Sequence, residues 1–169
     1  MVHLTKIYTK TGDKGTTAVA DNKRVPKTSP VIQAIGKVDE ANSAIGMATE
    51  YRSDIIDRIQ SDLFDLGADL AGYSTVKIEQ RRIDWLESVI DDMNSYLEPL
   101  HSFVLPTGPL HFARAVVRQA EITVWSVMEN QEINPLIVVY LNRLSDLLFV
   151  MARYYNKGNE KLWVPMENQ

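Results

Sequence analysis

Five stretches of this chain repeat apolar residues every three to four positions, and that period restricts its fold more than any other feature. Val31, Ala34, Ile35, Val38, Ala41, Ile45 and Ala48 mark the first, from Pro30 to about Tyr51. Ile56, Ile59, Leu63, Leu66 and Leu70 mark the second, and Ile83, Leu86, Val89, Ile90, Met93 and Leu97 the third, from about Ile78 to Leu97. Leu110, Ala113, Val117, Ala120, Val124 and Val127 form the fourth, and Ile137, Leu141, Leu144, Leu148, Met151 and Tyr155 the fifth. Each stripe must be buried against a neighbour. With no convincing strand pattern between them, the stripes predict an all-α fold, a five-helix bundle that runs up-and-down where loops are short.

The punctuation agrees. Ser29 before Pro30 predicts a hydroxyl cap with proline in the first turn, and Ser53 is placed to cap the second helix ahead of Asp54 and Asp57. Gly72 should end that helix, the third should stop before Pro99, and Leu100 to Pro109 reads as a break. Asn130 to Pro135 turns the chain into the fifth helix, and Gly158 is placed to stop it.

A chain of 169 residues can bury roughly 70% of its unfolded surface, so one self-sufficient domain over 1–169 is expected. Within it, 1–28 is a loop and connector, 29–157 the bundle and 158–169 a tail. The absence of cysteine excludes disulfides, thiolate zinc sites and cysteine nucleophiles, and suits a reducing compartment. A net charge of −4 argues against general nucleic-acid affinity. No apolar run approaches the ~18–20 residues of a membrane span, and a polar loop follows Met1 almost at once, which leaves no room for a targeting peptide. A cytoplasmic protein is expected.

That polar loop is Tyr8-Thr9-Lys10-Thr11-Gly12-Asp13-Lys14-Gly15-Thr16-Thr17. Threonine hydroxyls, lysines and glycines that allow close backbone approach suit a polyphosphate. The spacing is not that of a Walker A loop, since only Asp13 and Lys14 separate Gly12 from Gly15. The same composition also suits a surface hairpin with a glycine turn, and composition leaves both open. Ala18 to Thr28, with Lys23, Arg24 and Lys27, reads as a connector.

Two later helices carry more polar residues than a core helix needs. His111, Arg114, Arg118 and Glu121 share one face of the fourth, and Arg143, Asp146 and Arg153, with Asn142 adjacent, are placed together on the fifth. Both rows are either solvated faces or convergent arginine forks for carboxylate or phosphate. The three histidines are scattered and no Glu-x-x-His pair is present, so a side-chain metal site lacks support, and His111 reads as a hydrogen-bonded helix residue. No nucleophile elbow or serine–base pair is evident. If the chain is an enzyme, a molecule it binds carries the reactive atom.

Taken together these pieces resemble the PduO-type ATP:cob(I)alamin adenosyltransferases. The resemblance rests on Lys6 to Gly15, Arg24-Val25-Pro26-Lys27, Gly36 to Gly46, Leu63 to Ala71, Phe103-Val104-Leu105-Pro106, His111 to Glu121, and Tyr140 to Asp146 with Arg153. It implies a homotrimer with ATP between subunits, and transfer of the 5′-deoxyadenosyl group of ATP to cob(I)alamin, giving adenosylcobalamin and triphosphate. By that resemblance Thr9, Lys10, Thr11, Gly12, Lys14, Thr16, Thr17 and Lys27 would hold the triphosphate, while Arg118, Glu121, Asn142 and Arg143 complete the ATP site from a neighbour. Arg118 and Phe103 would act in catalysis, Phe103 by keeping the lower cobalt face apolar, and Asp39 with Arg114 would bridge subunits. Magnesium would travel with ATP, with no side-chain metal site. The implied partners are a flavoprotein reductase and an adenosylcobalamin-dependent enzyme. The chain departs from the family at Gln119, where a second arginine is usual, at Ala41 in place of leucine, and in a short segment between Pro106 and His111. These departures leave an alternative, a trimeric ATP- and corrinoid-binding carrier without catalysis.

Overall fold

The structure, a computed structural model, describes residues 7–51 and 53–168; His3 and Lys6 lie outside the described residues. Five helices are present: α1 (Pro30–Gly46), α2 (Asp54–Leu70), α3 (Gln80–Asn94), α4 (Gly108–Met128) and α5 (Leu136–Tyr155). Packing runs α2 on α1, α1 on α4, α4 on α5 and α5 on α3, so the main partner of α3 is remote in sequence. The five stripes meet in one core, with Ile45, Ile59, Leu66, Leu86, Val117 and Leu141 fully enclosed.

Three expectations about boundaries need correction. The first helix ends at Gly46 and gives way to a 3-10 turn at Thr49–Tyr51, because Met47 and Ala48 donate to carbonyls three residues back. The third is shorter at both ends: the Ile78 N–H is claimed by the Asp69 carboxylate, and Leu97 closes a tight turn on Asn94. The connector contains two three-residue strands, β1 (Thr16–Ala18) and β2 (Arg24–Pro26), antiparallel with Thr17 opposite Val25. Strands this short are below the length at which alternation shows in sequence.

Ser29 and Ser53 do stand at the N-caps, yet neither hydroxyl makes the capping bond and both are buried without a partner. At α1 the carbonyl of Ser29 takes the N–H groups of Ile32 and Gln33, and at α2 that of Ser53 takes Asp57. Gly72 ends α2 with φ +89°, receiving the reversed chain through Gly72 N–H to Asp69 O and Tyr73 N–H to Ala68 O. The Ala20 N–H donates to Ala71 O at 3.0 Å, which docks the strand connection onto this helix end.

Buried polar residues of α2 tie the remaining pieces together. Asp69 accepts from Lys77, from the Ile78 N–H and from Asn134, whose own Oδ1 receives Leu136 N–H at the start of α5. Asp62 accepts from Arg82 and from the hydroxyl of fully buried Tyr140. Burial, reinforced by the Asp62 charge, holds the Tyr140 phenol well above its usual pKa, so it remains a donor.

Candidate functional site

The polar loop precedes the hairpin rather than forming its turn, since the strands are joined through the 3-10 turn Ala20–Asn22. Lys10 takes a positive φ of 61° and Gly15 one of 79°, and the path is pinned by Gly15 N–H to Gly12 O and Lys27 N–H to Gly15 O. Arg24, read from sequence only as part of a connector, organises this segment. Its guanidinium donates to Thr11 O at 2.7 Å, Thr16 O at 3.0 Å and Thr16 Oγ1 at 2.9 Å. Lys27 lies over Gly12, where a Cβ would stand 3.1 Å from its Nζ, so a side chain here would push the ammonium a few tenths of an ångström away. Thr9 and Thr11 share a hydrogen bond of 2.9 Å, and with Lys10 and Lys14 they stay exposed. The result is a concentration of hydroxyl donors and cations facing solvent, held in shape by an arginine that binds backbone.

On α4 and α5 the polar row divides. Arg118 is exposed, with no hydrogen bond or ion pair among the described residues, and the packing of α5 on α4 brings Asn142 Nδ2 to Glu121 Oε1 at 3.5 Å. Arg143 is already engaged by Glu87 at 2.8 Å and Asp146 at 3.3 Å; the Glu87 hydrogen bond, outweighing partial burial, pushes its pKa up. Arg114 is half-buried with its Nε unpartnered, and Asp39, exposed on α1, makes no ion pair with it in this chain. Arg153 does not join Arg143 and Asp146 but turns inward to Glu160. No hydrogen bond or ion pair among the described residues links the loop to Arg118, Glu121 or Asn142.

The hydrogen-bonding expected of His111 is not found at Nδ1, which is buried without a partner while the ring meets Phe149 edge-on at 5.7 Å. Burial, then the nearby Arg114 cation, lowers its pKa. Among the described residues no group of three or more His, Asp or Glu side chains is arranged to hold a metal ion. No helix of the described residues is long and apolar enough to cross a membrane.

Phe103 is 77% exposed. Trp163, which sequence reasoning left in an unassigned tail, stands edge-on to it with ring centres 6.0 Å apart. The tail pairs with the segment before α4: Trp163 N–H donates to Phe103 O at 2.7 Å, Leu105 N–H to Lys161 O at 2.8 Å, and Ser102 Oγ to Trp163 O at 2.7 Å. The apolar triplet Leu162-Trp163-Val164 after a helix-stopping glycine was the only sequence signal for this arrangement.

Fold and site together define an all-α bundle with a cation-rich loop at one place and an exposed aromatic platform at another. Residues 7–155 match the cobalamin adenosyltransferase family, and the chain belongs to it. It is 44% identical to a corrinoid adenosyltransferase of Mycobacterium leprae over 97% of this chain and 98% of that protein. Identity to the human corrinoid adenosyltransferase is 39%, over 94% of this chain and 72% of the relative. A variant of the PduO-type ATP:corrinoid adenosyltransferase of Lactobacillus reuteri, solved with cobalamin and ATP, superposes with a TM-score of 0.85 at 33% identity, covering 95% of this chain and 99% of that one.

Proposed function

We propose that this chain transfers the 5′-deoxyadenosyl group of ATP to cob(I)alamin, releasing triphosphate, with residues 1–169 working as one domain. The observation that carries this reading is the exposed loop in which Arg24 fixes the Thr11 and Thr16 backbone while Lys27 covers Gly12. Threonine hydroxyls and lysine ammonium groups gathered this way suit a triphosphate. Thr9, Lys10, Thr11, Gly12, Lys14, Thr16, Thr17 and Lys27 form that half of the ATP site.

The other half is Arg118, Glu121 and Asn142 of a neighbouring subunit in a homotrimer. Arg118 carries a free guanidinium, and Glu121 with Asn142 is set for a sugar or base. Arg143 supports them through its carboxylate partners. The orphaned Nε of Arg114 and the exposed Asp39 suit an ion pair across the subunit boundary. Exposed Phe112, Ile122 and Trp125 on the outer side of α4 suit burial in the same assembly.

Chemically, the cobalt(I) of the substrate supplies the electron pair that forms the bond to C5′, and the C5′–oxygen bond breaks with its pair leaving on triphosphate. The protein needs no nucleophile or base of its own. Its work is alignment, which can be worth on the order of 7–11 kcal/mol, and neutralisation of the leaving triphosphate, about 1.5–3 kcal/mol for each charged hydrogen bond. Phe103 and Trp163 offer an apolar face for the corrin side away from ATP. A face that offers cobalt no ligand favours the four-coordinate state that is easier to reduce. Magnesium accompanies ATP through phosphate oxygens and water. A flavoprotein reductase suits the one-electron supply, an adenosylcobalamin-dependent enzyme would consume the product, and a reducing cytoplasm suits a chain without cysteine.

The test is anaerobic incubation with ATP, magnesium and chemically reduced cob(I)alamin, following the corrin spectrum and free triphosphate. One triphosphate per adenosylcobalamin is expected. Spectral binding without conversion would overturn the enzyme in favour of the carrier reading that Gln119 and the short segment before His111 leave open.

A further inference from the structure

We propose that the buried ion pair between Arg153 and Glu160 is a positioning latch for the aromatic platform, holding the tail so that Trp163 meets Phe103. The proposal rests on the corrinoid reading of Phe103 given above.

After α5, Lys157 and Gly158 both take positive φ, 55° and 70°, and Gly158 N–H donates to Arg153 O at 3.2 Å. This reversal returns the tail over the last turn of α5 and lays Glu160 on Arg153. Arg153 Nε donates to Glu160 Oε1 at 2.6 Å, and its Nη2 donates to Glu98 O at 2.8 Å. One guanidinium therefore ties together α5, the tail, and the segment that leaves α3 toward Phe103. Immediately beyond Glu160, residues 161–163 pair with residues 103–105 and place the tryptophan.

Both side chains of the pair are only 7% exposed. A charge pair at that depth is a poor source of net stability compared with apolar packing, because desolvation offsets most of the attraction. Its directional bonds do fix where the tail lies. Glu160 Oε2 has no partner, so the carboxylate grips the helix through a single oxygen. Arg153 and Glu160 together line a cavity of about 140 Å³ shared with His111 and a larger one of about 640 Å³ shared with Tyr96, Leu100, Tyr154 and Leu162. With open space beside the pair, directed bonds rather than packing place the tail, and the ion pair is the side-chain link that joins the backbone bonds to residues 102–105 with an anchor on α5.

The test combines Glu160→Gln with Trp163→Ala and the double variant, measuring KM separately for corrinoid and for ATP. The latch predicts a corrinoid KM about tenfold higher in Glu160→Gln with the ATP KM unchanged. It also predicts no further loss when Glu160→Gln is added to Trp163→Ala. Additive losses, or equal effects on both substrates, would overturn it. In a background with Trp85→Phe and Trp125→Phe, the fluorescence of Trp163 should become more accessible to iodide on Glu160→Gln without any substrate present; unchanged quenching would also overturn it. This readout separates the two ideas, since an inactive wild-type protein would refute the transferase while leaving the latch to be judged by quenching. Should Glu160→Gln fail to fold, Arg153→Lys keeps the cation but loses the fork that reaches Glu98 O, and the same shifts are expected.

Discussion

The loop at Thr9–Thr17 and the tail from Gly158 onward are both irregular segments stitched to the bundle, but they direct their polar groups oppositely. In the loop Arg24 binds the Thr11 and Thr16 carbonyls and the Thr16 hydroxyl, while Thr9, Thr11, Lys10 and Lys14 face solvent. Where the tail meets α5 the charges of Glu160 and Arg153 are buried against each other, and an aromatic group, Trp163 beside Phe103, is among those left exposed. On the proposed reading the same residue chemistry serves binding where it is exposed and placement where it is enclosed. Polar groups used for structure should affect stability or one substrate, whereas those left free should affect turnover.

The largest expected effect falls on a free group. Arg118→Ala should lower kcat/KM by about 10²-fold, the loss of one charged hydrogen bond to the leaving group, with an unchanged melting temperature. Turnover within a few-fold of wild type would remove Arg118 from the site. Tyr140→Phe tests the opposite class: loss of the bond to the Asp62 carboxylate should cost about 1.5–3 kcal/mol of stability in denaturant titration and leave steady-state kinetics alone. A kinetic defect there would blur the division between placement and binding.

Arg24→Ala lies between the two, because it is exposed yet structural. Releasing Thr11 and Thr16 should raise the KM for ATP about tenfold while melting changes little. An equal rise in the corrinoid KM would mean that the two regions are not separable. The smallest effect is expected from acid. His111 is held below its usual 6.5 by burial and by Arg114, so it stays neutral when folded, and stability is lost as pH falls from about 6.5 toward its folded value. Glu160 favours its protonation against burial and Arg114, and Arg153 and Glu50 line the same cavity. The Glu160 carboxylate is held below 4.5, since Arg153 outweighs the penalty of burial, and its contribution is lost only as pH falls below about 4.5. Melting temperature should therefore fall in two stages, and His111→Gln should abolish the first alone.

The helices were legible because each apolar stripe repeats over several turns, and a glycine such as Gly72 announces its own conformation. Arg24 was not legible because two of its acceptors are the Thr11 and Thr16 carbonyl oxygens, which leave no mark in the side-chain pattern, and the third, the Thr16 hydroxyl, lies eight residues away across the hairpin. Arg153 has helical spacing compatible with the polar row of α5. Only the returning tail, pairing residues some sixty positions apart in sequence, decides that it is buried. The unmade caps at Ser29 and Ser53 show the converse, a sound local signal displaced by the backbone's own bonds. In the proposed site, the loop hydroxyls and lysines stand out one by one in the sequence, whereas the placement of Trp163 depends on a contact across the whole α4–α5 hairpin.

The central claim is that one ATP site is divided between the loop of one subunit and Arg118 of the next. Co-expression of Lys27→Ala chains with Arg118→Ala chains tests it most directly. If the site is shared, mixed trimers contain intact sites where an unaltered loop meets an unaltered Arg118, and activity should return to about a quarter of wild type from two inactive parents. If mixed trimers stay as inactive as either parent, loop and arginine act within one chain and the divided site is wrong.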